Sequence, residues 1–400
     1  MVEANPSYDV IVIGAGMVGA ASALGCAQQD LNVALIEAYQ PAESLDLSRY
    51  ENRVSALTLA SQNLLTQLGV WNDMLALRVS PYTDMHVWDA GGDGAIHFDA
   101  ADAGTSTLGH IVENGVTQQS LWQQLSAHEK VTIYCPDKVN AVKRESALSH
   151  VTLNSGQQLT APLVVVADGK NSAVRDMLGI DTTGWLYDQH AIVGTITTEN
   201  SHQFTAWQRF MKNGPLAFLP LNNADGNKEN QCSIVWSTSP EQAETLMALD
   251  EASFCKAITQ ASESILGDVI EIRDRGVFPL QLKHANTYIR EGFVLIGDAA
   301  HAIHPLAGQG VNLGFQDVEA LLEIIQLTRQ QSRQPGSMRM LRQFERQRKG
   351  SNLTMLAAMD GFKRLFSNDN LPLSLIRNRG LSLVDQAGPL KQFLVRYAMG

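Results

Sequence analysis

Cysteine is scarce in this chain. Cys26, Cys135, Cys232 and Cys255 are widely scattered, with no CxxC and no zinc-like His/Cys spacing. A disulfide scaffold and a metal-ligand cluster are therefore excluded, and a reducing, cytoplasmic setting fits best. A basic surplus is also missing: the formal net charge of -11 leaves no concentrated cationic footprint for DNA or RNA. No apolar run approaches the ~18 residues a spanning helix needs. Tyr8–Ile13 follows the N-terminus almost directly, without the basic-then-apolar pattern of a signal peptide, so any membrane association is expected to be peripheral. Only 13 prolines and 18% charged residues, against 44% hydrophobic ones, argue against disorder. At 400 residues the chain suggests two domains, or one large doubly wound domain carrying an inserted cap.

Glycine, by contrast, is placed with purpose. The apolar run Val10–Ile13 has the character of a strand buried on both faces, and it ends directly at Gly14-Ala15-Gly16-Met17-Val18-Gly19. Gly14 permits the tight turn, Gly16 lets backbone approach a pyrophosphate, and Gly19 allows close helix packing. A second strand, Asn32–Ile36, ends at Glu37, where a carboxylate would accept hydrogen bonds from ribose hydroxyls and disfavour a 2′-phosphate. Strand, glycines, helix, strand and acid in this order predict an ADP-containing cofactor.

Two further apolar runs deliver polar residues to the same edge. Leu163–Ala167 leads into Asp168-Gly169-Lys170-Asn171-Ser172-Ala173-Val174-Arg175, where Asp168 reads either as a helix cap or as a ligand contact. Phe293–Ile296 leads into Gly297-Asp298, whose carboxylate can accept from a ribityl hydroxyl. Beyond it, Pro305 and Gly308-Gln309-Gly310 precede an apolar-periodic helix beginning Val311-Asn312. Its free N-terminal amides would favour negative charge on a reduced flavin ring.

Taken together, GxGxxG with Glu37, Asp168-Gly169 with Ser172 and Arg175, and Gly297-Asp298 with PxxGQGxN resemble the class A flavoprotein aromatic hydroxylases. Within that class, Arg53-Val54-Ser55-Ala56-Leu57, Leu68-Gly69-Val70-Trp71, Val112-Glu113-Asn114, His304–Gly314 and the C-terminal Leu371-Pro372, Arg377–Leu381 and Tyr397–Gly400 look like the ubiquinone-biosynthesis hydroxylases, so the similarity spans nearly the whole chain. The resemblance implies an α/β fold with a Rossmann-like FAD-binding domain (1–75, 103–185 and 285–335), a mixed β-sheet substrate domain (76–102 and 186–284) and a C-terminal helical region (336–400). It implies FAD, dioxygen and a transient reductant, NAD(P)H or another, with a C4a-hydroperoxyflavin transferring oxygen to a polyprenylated phenol. Carried over by position, Gly14, Gly16, Gly19 and Glu37 would bind the ADP half. Asp168, Asp298, Pro305, Gly308, Gln309, Gly310, Val311 and Asn312 would serve the remainder. Arg53 and Gln118 are further candidates. Gln118 stands where many class A hydroxylases carry an arginine before a leucine matched by Leu121, which weakens a charged phosphate contact; a surface or ion-pair role is the alternative for Arg53, whose place in the RVSAL pattern favours the cofactor.

Alternating stretches at Met85–Phe98 and Ala191–Val235 read as strands of the substrate sheet. His304 could orient or deprotonate a ring hydroxyl, or serve the loop structurally, and His301 is expected to fix its loop. Ser172 lacks a Ser-His-Asp signature, and no second strand-linked GxGxxG offers a separate nicotinamide domain. Met338–Phe366 is helical in pattern. From Gly361 to Gly400 six basic residues face two acidic ones, opposite in sign to the whole chain. Mixed with leucines, that tail reads as a contact for anionic lipid at the inner membrane, as a contact for a biosynthetic protein complex, or as a solvated face. The resemblance points to C5 hydroxylation, with C6 as the alternative ring position. A flavin oxidase or dehydrogenase, and a non-catalytic flavin-holding subunit, are the competing readings.

Overall fold

Val10–Ile13 is a strand with all four side chains buried, as a strand covered on both faces must be. The structure is a computed structural model that describes residues 6–42, 44–90, 94–222, 229–302 and 310–366. In it, Val10–Ile13 lies inside a six-stranded sheet ordered Ile289–Arg290, Phe293–Leu295, Leu163–Val166, Val10–Ile13, Val33–Ile36, Val131–Tyr134. Val10 pairs in parallel with Leu163 on one side and Val33 on the other. Parallel neighbours need a crossover, and the helix Met17–Gln28 supplies it between Val10–Ile13 and Val33–Ile36. The carboxyl ends of these strands thus meet at one edge, on either side of the strand where the order reverses.

A second, eight-stranded sheet runs His301–Ala302, Val269–Ala285, Thr182–Thr198, Gln231–Thr238, Gly214–Leu221, Thr205–Met211, Asp84–Asp89, Ala95–Asp99. The pairing of Thr205–Met211 with Asp84–Asp89 is parallel while its neighbours are antiparallel, so the sheet is mixed. Alternation along the strands sends Ile192, Ile196, Phe218, Ile234 and Trp236 to one face, where they pack on the helices Pro240–Met247 and Glu251–Ala261. The opposite face carries Ala191, Leu219, Leu221, Val235, Leu280 and Leu282. Leu219 and Leu221 there share a cluster with Ala56, Tyr50 and Tyr82, which ties this face to the strand Val54–Leu57.

The two sheets are joined by a two-stranded ribbon. Thr182–Thr198 and Val269–Ala285 pair antiparallel, with register shifts after Leu186, Val193 and Thr197; the expected domain boundary 185/186 falls within the first strand and 284/285 at the end of the second. Likewise Ser80–Tyr82, inside the segment expected in the substrate domain, pairs with Gly109–Glu113 in a separate three-stranded sheet with Val54–Leu57. Apolar spacing marks strands but not their partners, so neither feature is visible in the sequence.

The long helix Met338–Phe366 covers the segment with helical periodicity. Met340, Leu341 and Phe344 bury it in the core of the six-stranded sheet. Residues 367–400, with the basic apolar tail, lie outside the described residues. No described helix is long and apolar enough to cross a membrane.

Phe254, fully buried between the eight-stranded sheet and its helices, tests this packing. Phe254→Ala should lower unfolding free energy by about 3–5 kcal/mol in urea titration; a loss under about 1 kcal/mol would show that this interface is not packed as described.

Candidate functional site

The glycine turn is tighter than any side chain allows. A Cβ at Gly14, where φ is +96°, would fall 2.4 Å from the Ala167 carbonyl, and one at Gly19 would fall 1.9 Å from the Gly14 carbonyl. Gly16 differs: nothing lies within 4 Å of its Cβ position, so the turn opens there into a cradle. Gly16 also precedes the helix Met17–Gln28 without a side-chain cap, leaving first-turn amides available to an anion. Gln118, on the helix Asn114–Ala127, donates from Nε2 to Ala15 O at 3.3 Å and so borders this loop.

Glu37 stands at the carboxyl end of Val33–Ile36. Its Oε2 accepts from Ala15 N at 2.6 Å and its Oε1 from Tyr39 N at 3.1 Å, which fixes the carboxylate beside the cradle. Each oxygen keeps a lone pair for a further donor. Asp168 divides its work: Oδ2 accepts from Val174 N at 3.2 Å, while Oδ1 is buried without a partner. The helix cap proper is Ser172, which accepts from Arg175 N at 2.9 Å. Burial raises the Asp168 carboxyl despite Ser172 and the Val174 amide.

The third turn is drawn against the first. A Cβ at Gly297, with φ +56°, would fall 3.1 Å from Val18, and one at Gly314 2.4 Å from the same side chain, so helix Met17–Gln28 wedges against both Gly297 and the helix Gly310–Gln330. Asp298 is surrounded by protein yet reached by solvent, as a residue lining a cleft would be. Burial raises its carboxyl, and His301, Arg53 and Lys170 draw it back only in part. Arg53 is exposed, and its charge acts on Asp298, which brings the arginine to this turn.

Val311 packs on the core. Asn312 is committed to the protein: Oδ1 accepts from Thr58 N and Ser61 Oγ, at 3.1 and 2.7 Å, and Nδ2 donates to Ala56 O at 2.8 Å. It braces the start of the helix Gly310–Gln330 against the strand Val54–Leu57, a role its place in the motif does not reveal. His304, Pro305, Gly308 and Gln309 lie outside the described residues; Gly310 opens the helix.

Buried polar residues hold these turns in place, and among them only Arg78 is unmarked by the sequence. Buried Arg175 donates from Nη1 to Ala299 O at 3.1 Å, joining the Asp168 loop to the Asp298 turn. The buried pair Arg78–Glu113, at 2.7 Å, also gathers Leu47 O, Arg49 O and Glu51 N and so fixes the segment leading to Arg53. His301 donates from Nε2 to Asp317 at 2.5 Å, which anchors the end of its loop.

Open space at Gly16, the unpartnered Oδ1 of Asp168 and the raised carboxyl of solvent-reached Asp298 fit a dinucleotide with a pyrophosphate and sugar hydroxyls. Asp298 and Asp168 would gain hydroxyl donors, and Glu37 could reach a ribose. Among the described residues, no three His, Cys, Asp or Glu side chains are grouped to hold a metal ion.

Comparison with known proteins agrees with this chemistry. Residues 7–350 match the family model described as FAD binding domain. The 3-demethoxyubiquinol 3-hydroxylase of Escherichia coli (strain K12) is 40% identical over 396 residues, 99% of each chain. Ubiquinone hydroxylase UbiL of Rhodospirillum rubrum is 36% identical, covering 100% of this chain and 91% of its own length. In fold the chain is similar to p-nitrophenol 4-monooxygenase PnpA from Pseudomonas putida DLL-E4, with a TM-score of 0.77 at 17% identity over 98% of both chains.

Two outcomes are expected. Gly16→Val should leave the apo-protein's melting temperature within about 2 °C of wild type while weakening FAD binding at least tenfold in a fluorescence titration. Gly19→Val should damage both; equal stability losses in the two variants would contradict the cradle. The second concerns acid. His110 and His284 are pushed down to about 4, His110 by burial and His284 by burial with help from His301 and Lys349. Both rings stay neutral in the fold while the unfolded chain takes up protons near the ordinary pKa of ~6.5. Their contribution is present above that pH and lost as pH falls from about 6.5 to about 4. Urea midpoints should fall across that window, and His110→Phe should make the decline shallower; an unchanged slope in the variant would refute the assignment.

Proposed function

Because the chain belongs to the class A flavoprotein monooxygenases, among the FAD-dependent ubiquinone-biosynthesis hydroxylases, we propose that its substrate is the ring of a polyprenylated quinol or phenol held under the mixed sheet. It is an FAD-dependent aromatic-ring monooxygenase acting on ubiquinone intermediates. The observation that carries the proposal is the meeting of the Gly14–Gly19 turn with Glu37, the Asp168 turn and the Gly297–Asp298 turn, from four separate segments, in a chain whose mixed sheet also carries an apolar face with Ala191, Leu219, Val235 and Leu280.

FAD, when bound, supplies the reductive activation of dioxygen, with NAD(P)H or another reductant visiting transiently. The protein's residues do the rest. First-turn amides near Gly16 and the Gln118 side chain would border the pyrophosphate, Glu37 would accept from a ribose, and Asp168 and Asp298 would accept from further hydroxyls. Arg53 adds positive charge beside Asp298. The apolar sheet face excludes water from the ring and supplies a wall for a prenyl chain. His304, with Pro305 and the Gly308–Asn312 segment, is assigned to the ring side of the flavin, where His304 orients or deprotonates a ring hydroxyl.

For the ring position we weigh two products. The Escherichia coli relative is named for 3-demethoxyubiquinol and position 3, and its 40% identity favours a demethoxylated quinol. C5 hydroxylation of a 2-polyprenylphenol, supported by the His110–Asn114 and His304–Pro305 motifs, is the second reading, with C6 of that ring as its alternative. We place the enzyme in the cytoplasm, at the membrane surface where such lipids reside, with the segment beyond 366 as a candidate contact for lipid or a biosynthetic complex.

Turnover of purified holoenzyme with each ring under labelled dioxygen separates these readings. The expected product carries one labelled oxygen, on the demethoxylated quinol in preference to the phenol. Hydrogen peroxide alone would indicate an oxidase. Absence of turnover with every ring and reductant would indicate a flavin-holding subunit, and either result rejects the proposal.

A further inference from the structure

Asp317 lies mid-helix in Gly310–Gln330, fully buried, and every hydrogen bond described for it goes to a different part of the chain. Oδ2 accepts from Gly297 N at 3.0 Å and from His301 Nε2 at 2.5 Å, the residues that bracket the Asp298 turn. Oδ1 accepts from Arg348 Nε at 2.7 Å and from Asn352 Nδ2 at 3.4 Å, both on the helix Met338–Phe366. Arg348 Nη2 also donates to Asn352 Oδ1 at 2.8 Å and Gln316 Oε1 at 3.1 Å. Burial pushes the Asp317 carboxyl up, but His301 and Arg348 outweigh it and hold the group below the usual range. The network extends outward: Asn352 Nδ2 donates to Tyr288 OH at 3.3 Å, and that hydroxyl is hydrogen-bonded to His284 Nε2 at 2.9 Å. His284 pairs with His301 across neighbouring strands, closing the circuit.

We propose that Asp317 and Arg348 are positioning residues for the cofactor: the C-terminal helix, acting through this ion pair, sets the Gly297–His301 turn that presents Asp298. Asp298 is held from both sides, by Asp317 at Gly297 and His301 and by Arg175 at Ala299. Its own carboxylate takes no part in that bracing among the bonds described and is left for the flavin. A bound charge pair suits this task because its geometry is directional, whereas apolar packing of the same two helices would leave the turn free to rotate. Among the described residues, the hydrogen bonds of Arg348 go to Asp317, Leu313 O, Gln316 and Asn352 and none to the glycine cradle, so its effect on the cofactor runs through Asp317.

The test uses the full chain stripped of flavin and titrated with FAD. Arg348→Met should raise the FAD dissociation constant at least tenfold and alter the visible absorption of the bound flavin, and Arg348→Lys, which keeps a charge near Asp317 Oδ1, should recover part of both. Arg348→Met alone strands a buried carboxylate and could unfold the chain, so Asp317→Asn combined with Arg348→Met removes both charges together. That double variant should melt within a few degrees of wild-type apo-protein and still bind FAD at least tenfold more weakly. Phe254→Ala is the control for stability alone and should leave the FAD dissociation constant within twofold of wild type. The proposal is overturned if the double variant binds FAD like wild type, or if Phe254→Ala weakens FAD as much as the Arg348 variants do.

Discussion

Close approach at four glycines sets the distances on which the site depends. Gly14 against the Ala167 carbonyl and Gly19 against the Gly14 carbonyl are backbone contacts that no Cβ permits, while Gly297 and Gly314 pack on the Val18 side chain, and together they bring three turns to one edge of the parallel sheet. A side chain at Gly14 or Gly19 must move backbone, one at Gly314 must displace Val18, and one at Gly297 is strained by its positive φ. Glu37, Asp168 and Asp298 are far apart in the chain and neighbours in function for this reason. The helix Met17–Gln28 is the common wedge: its first turn faces the cradle, Val18 touches the third turn, and Gly25 admits Leu322.

Charge is divided between two kinds of carboxylate. Asp317 and Glu113 are buried with full sets of partners and act as struts. Asp168 leaves Oδ1 buried without a partner, and burial raises the carboxyls of both Asp168 and Asp298. A protein gains nothing in stability from the second kind. Their place at the strand ends makes sense when ligand hydroxyls complete them. The eight-stranded sheet is divided likewise: one face is packed by two helices, and the other is apolar and turned toward the strand Val54–Leu57.

The sequence made the cofactor frame legible because each of its elements is local. Val10–Ile13, the glycine turn and Glu37 lie within about thirty residues, where strand and turn chemistry can be read directly. The strands of the mixed sheet were legible from alternation, and the helix Met338–Phe366 from its period. Pairing was not, so the ribbon of two 17-residue strands and the separate sheet holding Ser80–Tyr82 emerge only in three dimensions. Asn312 was legible as a motif residue but not as a brace, since Thr58, Ser61 and Ala56 are remote in sequence. One signal for Asp317 was present: it stands four residues after Leu313 and four before Leu321, an acid on an apolar helical face, which requires a buried partner. The identity of that partner, Arg348, could not be read from spacing.

The central claim is that separate segments grip the two halves of one flavin. Equilibrium titration of apo-protein carrying Asp298→Ala with ADP and with FAD tests it most directly. The account expects ADP affinity within twofold of wild type, because Gly16 and Glu37 are untouched, and FAD affinity weaker by about 1.5–3 kcal/mol, the usual worth of a hydrogen bond to a charged group. FAD binding undiminished by the loss of that carboxylate would contradict it.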